Sequence, residues 1–201
     1  MKFLLGTKEE MTQIYDSAGL AQPVTVVSFG DLVVTQTKTK EKDGYSAVQV
    51  GFGDKKAKNI NKPLRGHIKD LGNFKYLKEF RTIEDPTLSV GDKVKNEFLE
   101  GSSITVSAVS KGKGFQGGVK RHGFHGGRRS HGQKHSEREP GSIGAGGMQK
   151  VLKGTRMAGR MGGDRITVKN LKIVHIDNDT NKIYIKGAVP GRRGTLVEIF
   201  G

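Results

Sequence analysis

From Lys111 to Arg165 the chain runs through fifty-five residues that offer almost nothing to a hydrophobic core. They include 16 of the 30 glycines, four of the six histidines, and 13 Lys and Arg against 3 Asp and Glu. That leaves a net +10 out of +15 for the whole protein. Only two of the 13 aromatics, Phe115 and Phe124, fall inside the stretch. With so much backbone freedom and so little apolar surface, burial cannot offset the entropy of ordering it. Any core must come from the other 146 residues. The expected organisation is a globular body, residues 1–110 plus 166–201, interrupted by a basic finger, residues 111–165.

The body reads as mainly β. PVTVVSFGDLVVTQTKT contains two β-branched runs, around Val24–Phe29 and Asp31–Lys38, divided at Gly30. Val48, Val50 and Phe52 recur with period two in YSAVQVGFG, as do Ile104, Val106 and Ala108 in SITVSAV, so each set shares one face of a strand. LKIVHID and KIYIKG flank Asn178–Asn181, a hairpin signal, and TLVEIF makes a last short strand. About eight or nine strands at this spacing favour a barrel or sandwich. One helical insertion is expected at about 61–80 in NKPLRGHIKDLGNFKYL. Asn61 would cap it, Pro63 would sit in its first turn, Leu64, Ile68 and Leu71 have helical spacing, and Gly72 would stop it. Gly66 weakens that helix. Near the start, Glu9 and Glu10 suit a helix opening, while MTQIYD alternates as a strand.

A sequence pI near 10.0 points to a polyanionic partner, nucleic acid before an anionic membrane surface. No cysteine is present, which excludes disulfides and thiolate chemistry. No run of eighteen apolar residues predicts a membrane span, and MKFLLGTKEEM has the wrong pattern for a signal peptide.

Several sharper readings of the insertion fail on their own chemistry. GKGFQG, from Gly112 to Gly117, fits G-x-G-x-x-G after an expected strand. A nucleotide loop needs a helix next, and the continuation VKRHGFHGGRRSHG is too glycine-broken to predict one. His122, His125, His131 and His135 lack the thiolate partners of structural zinc sites and stand among cations, so no metal is expected. Glu137 and Glu139 are expected to pair with Arg138 or the lysines rather than share a proton. Ser130 beside His131 is adjacency, not a nucleophile–base pair. No cofactor is expected. A solvated linker would not need Phe115, Phe124, Ile143, Met148, Val151, Leu152, Met157 and Met161 spread through it, nor the run GSIGAGG. Glycine backbone permits close approach, and Arg and Lys neutralise phosphates, so the composition suits a finger lying between RNA helices. Two rival classes are a nucleic-acid-processing enzyme with a basic loop and a general polyanion binder.

The stretches EEMTQIYD, VVTQTKTKEKDGYSAVQVGFG, NKPLRGH, KGKGFQGGVKRHGF, SHGQKHSEREPGSIGAGG, KGTRMAGRMGGDRITVKNL and IKGAVPGRRGTLVEI follow one another along the chain. In that order they resemble the universal large-subunit ribosomal protein L-three family in its bacterial form. The resemblance covers essentially the whole length and is most specific from Lys111 to Val168. It implies a translation-factor-like β-barrel body with one or two short helices and a long extension. It further implies a non-enzymatic large-subunit component that binds 23S-type rRNA and helps nucleate assembly. The extension would reach toward the peptidyl transferase region, with members of the L-fourteen and L-nineteen families as neighbours. By motif, rRNA contacts fall on Lys111, Lys113, Lys120, Arg121, His122, Arg128, Arg129, His131, Lys134, His135 and Arg138. The returning arm adds Lys150, Lys153, Arg156 and Arg160. The finger tip falls on Ile143, Gly144, Ala145, Gly146, Gly147 and Met148. Two departures stand out: Glu10 replaces the more usual glycine before Met-Thr-Gln, and AGGMQ around Gln149 differs from members with a methylated tip glutamine.

Overall fold

A computed structural model describes residues 2–69, 71–84 and 86–201. Its strands are β1 (Phe3–Tyr15), β2 (Ala21–Phe29), β3 (Leu32–Lys38), β4 (Ala47–Asp54), β5 (Phe74–Arg81) and β6 (Lys93–Val94). They continue as β7 (Ser103–Val109), β8 (Phe115–Gln116), β9 (Gly159–Arg160), β10 (Arg165–Asp177), β11 (Lys182–Lys186) and β12 (Leu196–Phe200). Three short helices accompany them: α1 (Lys40–Asp43), α2 (Lys62–Ile68) and α3 (Gly118–His122). The chain divides into two compact units, Met1–Val109 with Arg165–Gly201, and Ser110–Asp164.

In the first unit six strands close on themselves in the order β1, β12, β7, β10, β11, β2. Every neighbouring pair in that ring is antiparallel. Closure depends on β10 serving two partners. Its first part, from Arg165 to Lys172, pairs with β7, and its last part, from Ile173 to Asp177, pairs with β11. The register shifts between Val168 and Leu171, where Asn170 takes φ 60. Such a bulge bends and twists a strand, and that is how a sheet turns a corner. A second antiparallel sheet has the order β5, β4, β3, β6. One hydrophobic cluster includes Leu4, Val27, Val106, Ile183 and Ile199 from the ring and Val34, Val48, Val50 and Phe80 from the second sheet. The Phe3 ring stacks on Phe80 at 4.3 Å, and Phe80 meets Phe200 edge-on at 5.4 Å.

The period-two readings match burial: Val48, Val50 and Phe52 are buried on β4, and Ile104, Val106 and Ala108 on β7. Asp177 and Lys182 pair across the expected hairpin. The Asp177 carboxylate accepts from the Asp179 and Thr180 amides and the Thr180 hydroxyl, which closes the turn. β1 resolves the opening segment as strand through Tyr15.

The helix expected over about 61–80 is corrected. α2 stops at Ile68, with Lys69 at φ 52 and ψ −125, and residues 74–81 form β5 instead. Pairing decides the outcome, because Val48 lies opposite Phe80 and Phe52 opposite Tyr76, which places β5 against the most apolar strand of its sheet. Asp70, inside the expected helix, lies outside the described residues.

Candidate nucleic-acid interface

Within Ser110–Asp164 no described residue is buried, so hydrogen bonds rather than a core give it shape. At its root the Ser110 amide donates to the Asp164 carbonyl at 2.8 Å. The Lys113 amide donates to the Met161 carbonyl and the Met161 amide to that of Gly114, both at 2.9 Å. β8 and β9 extend this ladder, with Phe115 opposite Arg160 and Gln116 opposite Gly159. Gly162 has φ +76, and a Cβ there would lie 2.2 Å from the Lys111 carbonyl oxygen. Only glycine lets the two arms come so close.

α3 corrects the expectation that VKRHGFHGGRRSHG contains no helix, although it is only five residues long and ends at Gly123 in the left-handed region. It positions two of the predicted contact residues inward. Arg121 Nη1 donates to the Met157 carbonyl at 2.7 Å. His122 Nε2 lies 3.0 Å from the same oxygen. A carbonyl only accepts, so the His122 proton is on Nε2. The His122 ring also lies 5.6 Å from that of Phe124. Both side chains are half-buried and tie the outgoing arm to the returning one. Farther along, the Gly127 amide donates to the Glu137 carbonyl at 2.8 Å. Arg129 Nε donates to Glu137 Oε1 at 2.7 Å. Glu137 therefore pairs with Arg129, eight residues back, and not with the adjacent Arg138 or the lysines.

The other predicted contact residues are all exposed: Lys111, Lys113, Lys120, Arg128, Arg129, His131, Lys134, His135 and Arg138, then Lys150, Lys153, Arg156 and Arg160. Among the described residues, Arg129–Glu137 is the only ion pair in this unit. At the predicted tip, Ile143 is half exposed and Gly146–Met148 make one 3-10 turn that ends in Gln149 at φ 48. Among the described residues no three His, Asp, Glu or Cys side chains gather as a cation site. What the arrangement offers chemically is a hydrogen-bonded two-arm scaffold carrying unneutralised cations into solvent. Such charges gain little from one another and much from closely spaced phosphates.

The clamp on the Met157 carbonyl escaped sequence reasoning because a main-chain acceptor has no residue signature. Arg121 and His122 are legible in the sequence as contact residues of the motif, but their bonds to this carbonyl are not.

Residues 77–183 match the family described as ribosomal protein L3. The chain is 49% identical over 201 residues to the large ribosomal subunit protein uL3 of Pelotomaculum thermopropionicum, covering 98% of this chain and 95% of that one. It is 47% identical over 203 residues to that of Finegoldia magna, covering 99% and 97%. To that of Nostoc punctiforme it is 48% identical over 200 residues, covering 98% and 95%.

Proposed function

This chain belongs to the ribosomal protein L3 family, and from that premise we propose that it binds large-subunit, 23S-type rRNA directly through residues 111–165. It is a structural constituent of the large subunit in the cytoplasmic ribosome and not an enzyme. The finer reading is a translation-factor-like barrel body, early binding that helps nucleate assembly, and an extension that runs toward the peptidyl transferase region. Members of the L-fourteen and L-nineteen families are the protein neighbours in this reading. One observation carries the RNA assignment: the unit Ser110–Asp164 holds 12 Lys and Arg against 3 Asp and Glu, with a single ion pair among its described residues. Phosphates are the counter-charges that such a surface lacks.

Assembly of the large subunit, followed by sucrose-gradient sedimentation, tests this. Arg128→Ala/Arg129→Ala should sediment less with the large subunit as salt rises, while its melting temperature stays that of the wild type. Glu137→Gln breaks the Arg129 ion pair without removing a cation and should keep wild-type sedimentation. Normal assembly with the double variant removes both arginines from the interface. A wild-type protein that stays free of the particle at moderate salt defeats the reading altogether.

A further inference from the structure

Lys and Arg number 35 in 201 residues, yet no Lys, Arg or His stands between Lys8 and Lys38, the longest such gap in the chain. The gap opens on the hairpin of β1 and β2. Residues 9–23, EEMTQIYDSAGLAQP, hold three acids and no cation, so this arm repels phosphate instead of attracting it. The Asp16 carboxylate closes the turn by accepting from the Ala18 and Leu20 amides and from Gln22 Nε2.

β1 is longer than the ring needs. Only Phe3–Thr7 pair with β12, and Lys8 makes the last main-chain bonds on that side, to Thr195 and Gly194. From Met11 to Tyr15 the strand pairs with β2 alone, and among the described residues its other edge is open. Alternation decides which groups face that edge. The Asp16 amide donates to the Leu20 carbonyl at 3.1 Å, inside the hairpin. The main-chain groups of Tyr15, Gln13 and Met11 therefore turn outward, and those of Ile14 and Thr12 inward. Pro23 fits this register: it lies opposite Gln13, has no N–H to give, and its carbonyl accepts from the Gly187 amide on the far side. Met11, Gln13 and Tyr15 also share one face, where Gln13 Nε2 donates to the Tyr15 hydroxyl at 3.1 Å. Met11 is 52% and Tyr15 62% exposed. MTQIY is thus an uncharged, β-prone edge without the lysine or proline that blunts such edges elsewhere.

We propose that residues 11–15 of β1 dock an extended segment of another large-subunit protein, which adds as a further strand along Met11, Gln13 and Tyr15 and turns a Lys or Arg toward Glu10. Main-chain pairing supplies the grip in this mode, and alternate side chains select the partner. Glu9 is already answered by Lys182 at 3.4 Å, whereas Glu10 reaches Arg193 only at 4.0 Å and its side chain stays 65% exposed. A cation from the partner completes that pair. RNA fits poorly, because the arm has no cation to offer a phosphate. A second copy fits poorly too, since antiparallel self-pairing about Gln13 sets Glu10 opposite Asp16. The hairpin is already closed and paired on one side, so it loses little entropy on docking. This contact is independent of any phosphate contact made by residues 111–165.

The test uses the full-length protein, free and in large subunits reconstituted from rRNA and the total large-subunit proteins. Hydrogen exchange is read residue by residue. In the free protein the Thr12 and Ile14 amides should exchange slowly and those of Met11, Gln13 and Tyr15 fast. In the particle the latter three should slow at least about tenfold. A photo-crosslinking side chain at position 11 should join one peptide of another large-subunit protein. Gln13→Ala keeps the outward N–H and should keep both the protection and the crosslink. Gln13→Pro removes only that donor and should lower the crosslink several-fold at an unchanged melting temperature. Tyr15→Lys, which puts a charge on the edge without touching the main chain, should do the same and serves if the proline variant misfolds. Fast exchange of all three outward amides in the particle overturns the proposal. So does a crosslink from position 11 to rRNA alone or to a second copy of this chain, and so does a Tyr15→Lys protein that crosslinks as the wild type does.

Discussion

Glu198 shows how much one residue can join. It lies on β12, is 8% exposed, and receives Lys78 from β5 at 2.8 Å and Arg165 from the start of β10. Burial alone would raise its carboxyl pKa, but the hydrogen bonds from Lys78 and Arg165 outweigh that and hold it below the usual carboxylate range. A depressed folded pKa means the stabilisation is complete above the unfolded value, 4.5 for this group, and fades as pH falls through the folded one. Glu198→Gln should therefore cost about 1–3 kcal/mol at pH 7, and the gap to wild type should close as the pH is taken below about 4. Thermal melts across pH 3–7 check this; a gap that stays constant assigns the loss to something other than the charge. Val48, Val50 and Phe52 were legible in the sequence because period-two burial is a local pattern. Glu198 was not, since Lys78 and Arg165 come from strands that only the closed ring and its covering sheet bring to it.

At the scale of elements, local propensity lost wherever pairing could overrule it. Residues 74–81, FKYLKEFR, contain good helix formers, and they follow the true helix α2 closely enough to look like its continuation. Edge pairing with β4 makes them a strand, and the alternation of Phe74, Tyr76 and Phe80 becomes visible only once the register is known. The reverse happened at α3, where glycines on both sides hid one helical turn. That turn is held from outside its own sequence by the bonds from Arg121 and His122 to Met157. Arg121→Ala should consequently loosen the root of the two arms. Limited trypsin digestion of the free protein should cut several-fold faster at Lys120 and Arg160, with the melting temperature of the body unchanged. Equal cutting rates would show that the β8–β9 ladder holds the root without the clamp.

Over the whole molecule, the chain leaves the body at Val109 and re-enters it at Arg165, and these two residues are partners across β7 and β10. Residues 110–164 thus take the place of a hairpin turn in the chain order, and none of those whose burial is described belongs to the hydrophobic cluster. This explains why composition alone separated body from insertion: one part had to bury side chains and the other did not. It also predicts that the insertion is dispensable for folding. Replacing residues 110–164 by Asn-Gly gives a two-residue loop of the kind that twists with antiparallel strands. The shorter loop should stabilise the body by an amount of order 3 kcal/mol through loop-closure entropy. Chemical denaturation should then show one cooperative transition at a higher midpoint, and circular dichroism should keep its β signature. An expanded, dye-binding product without a cooperative transition would mean that the ring depends on the segment after all.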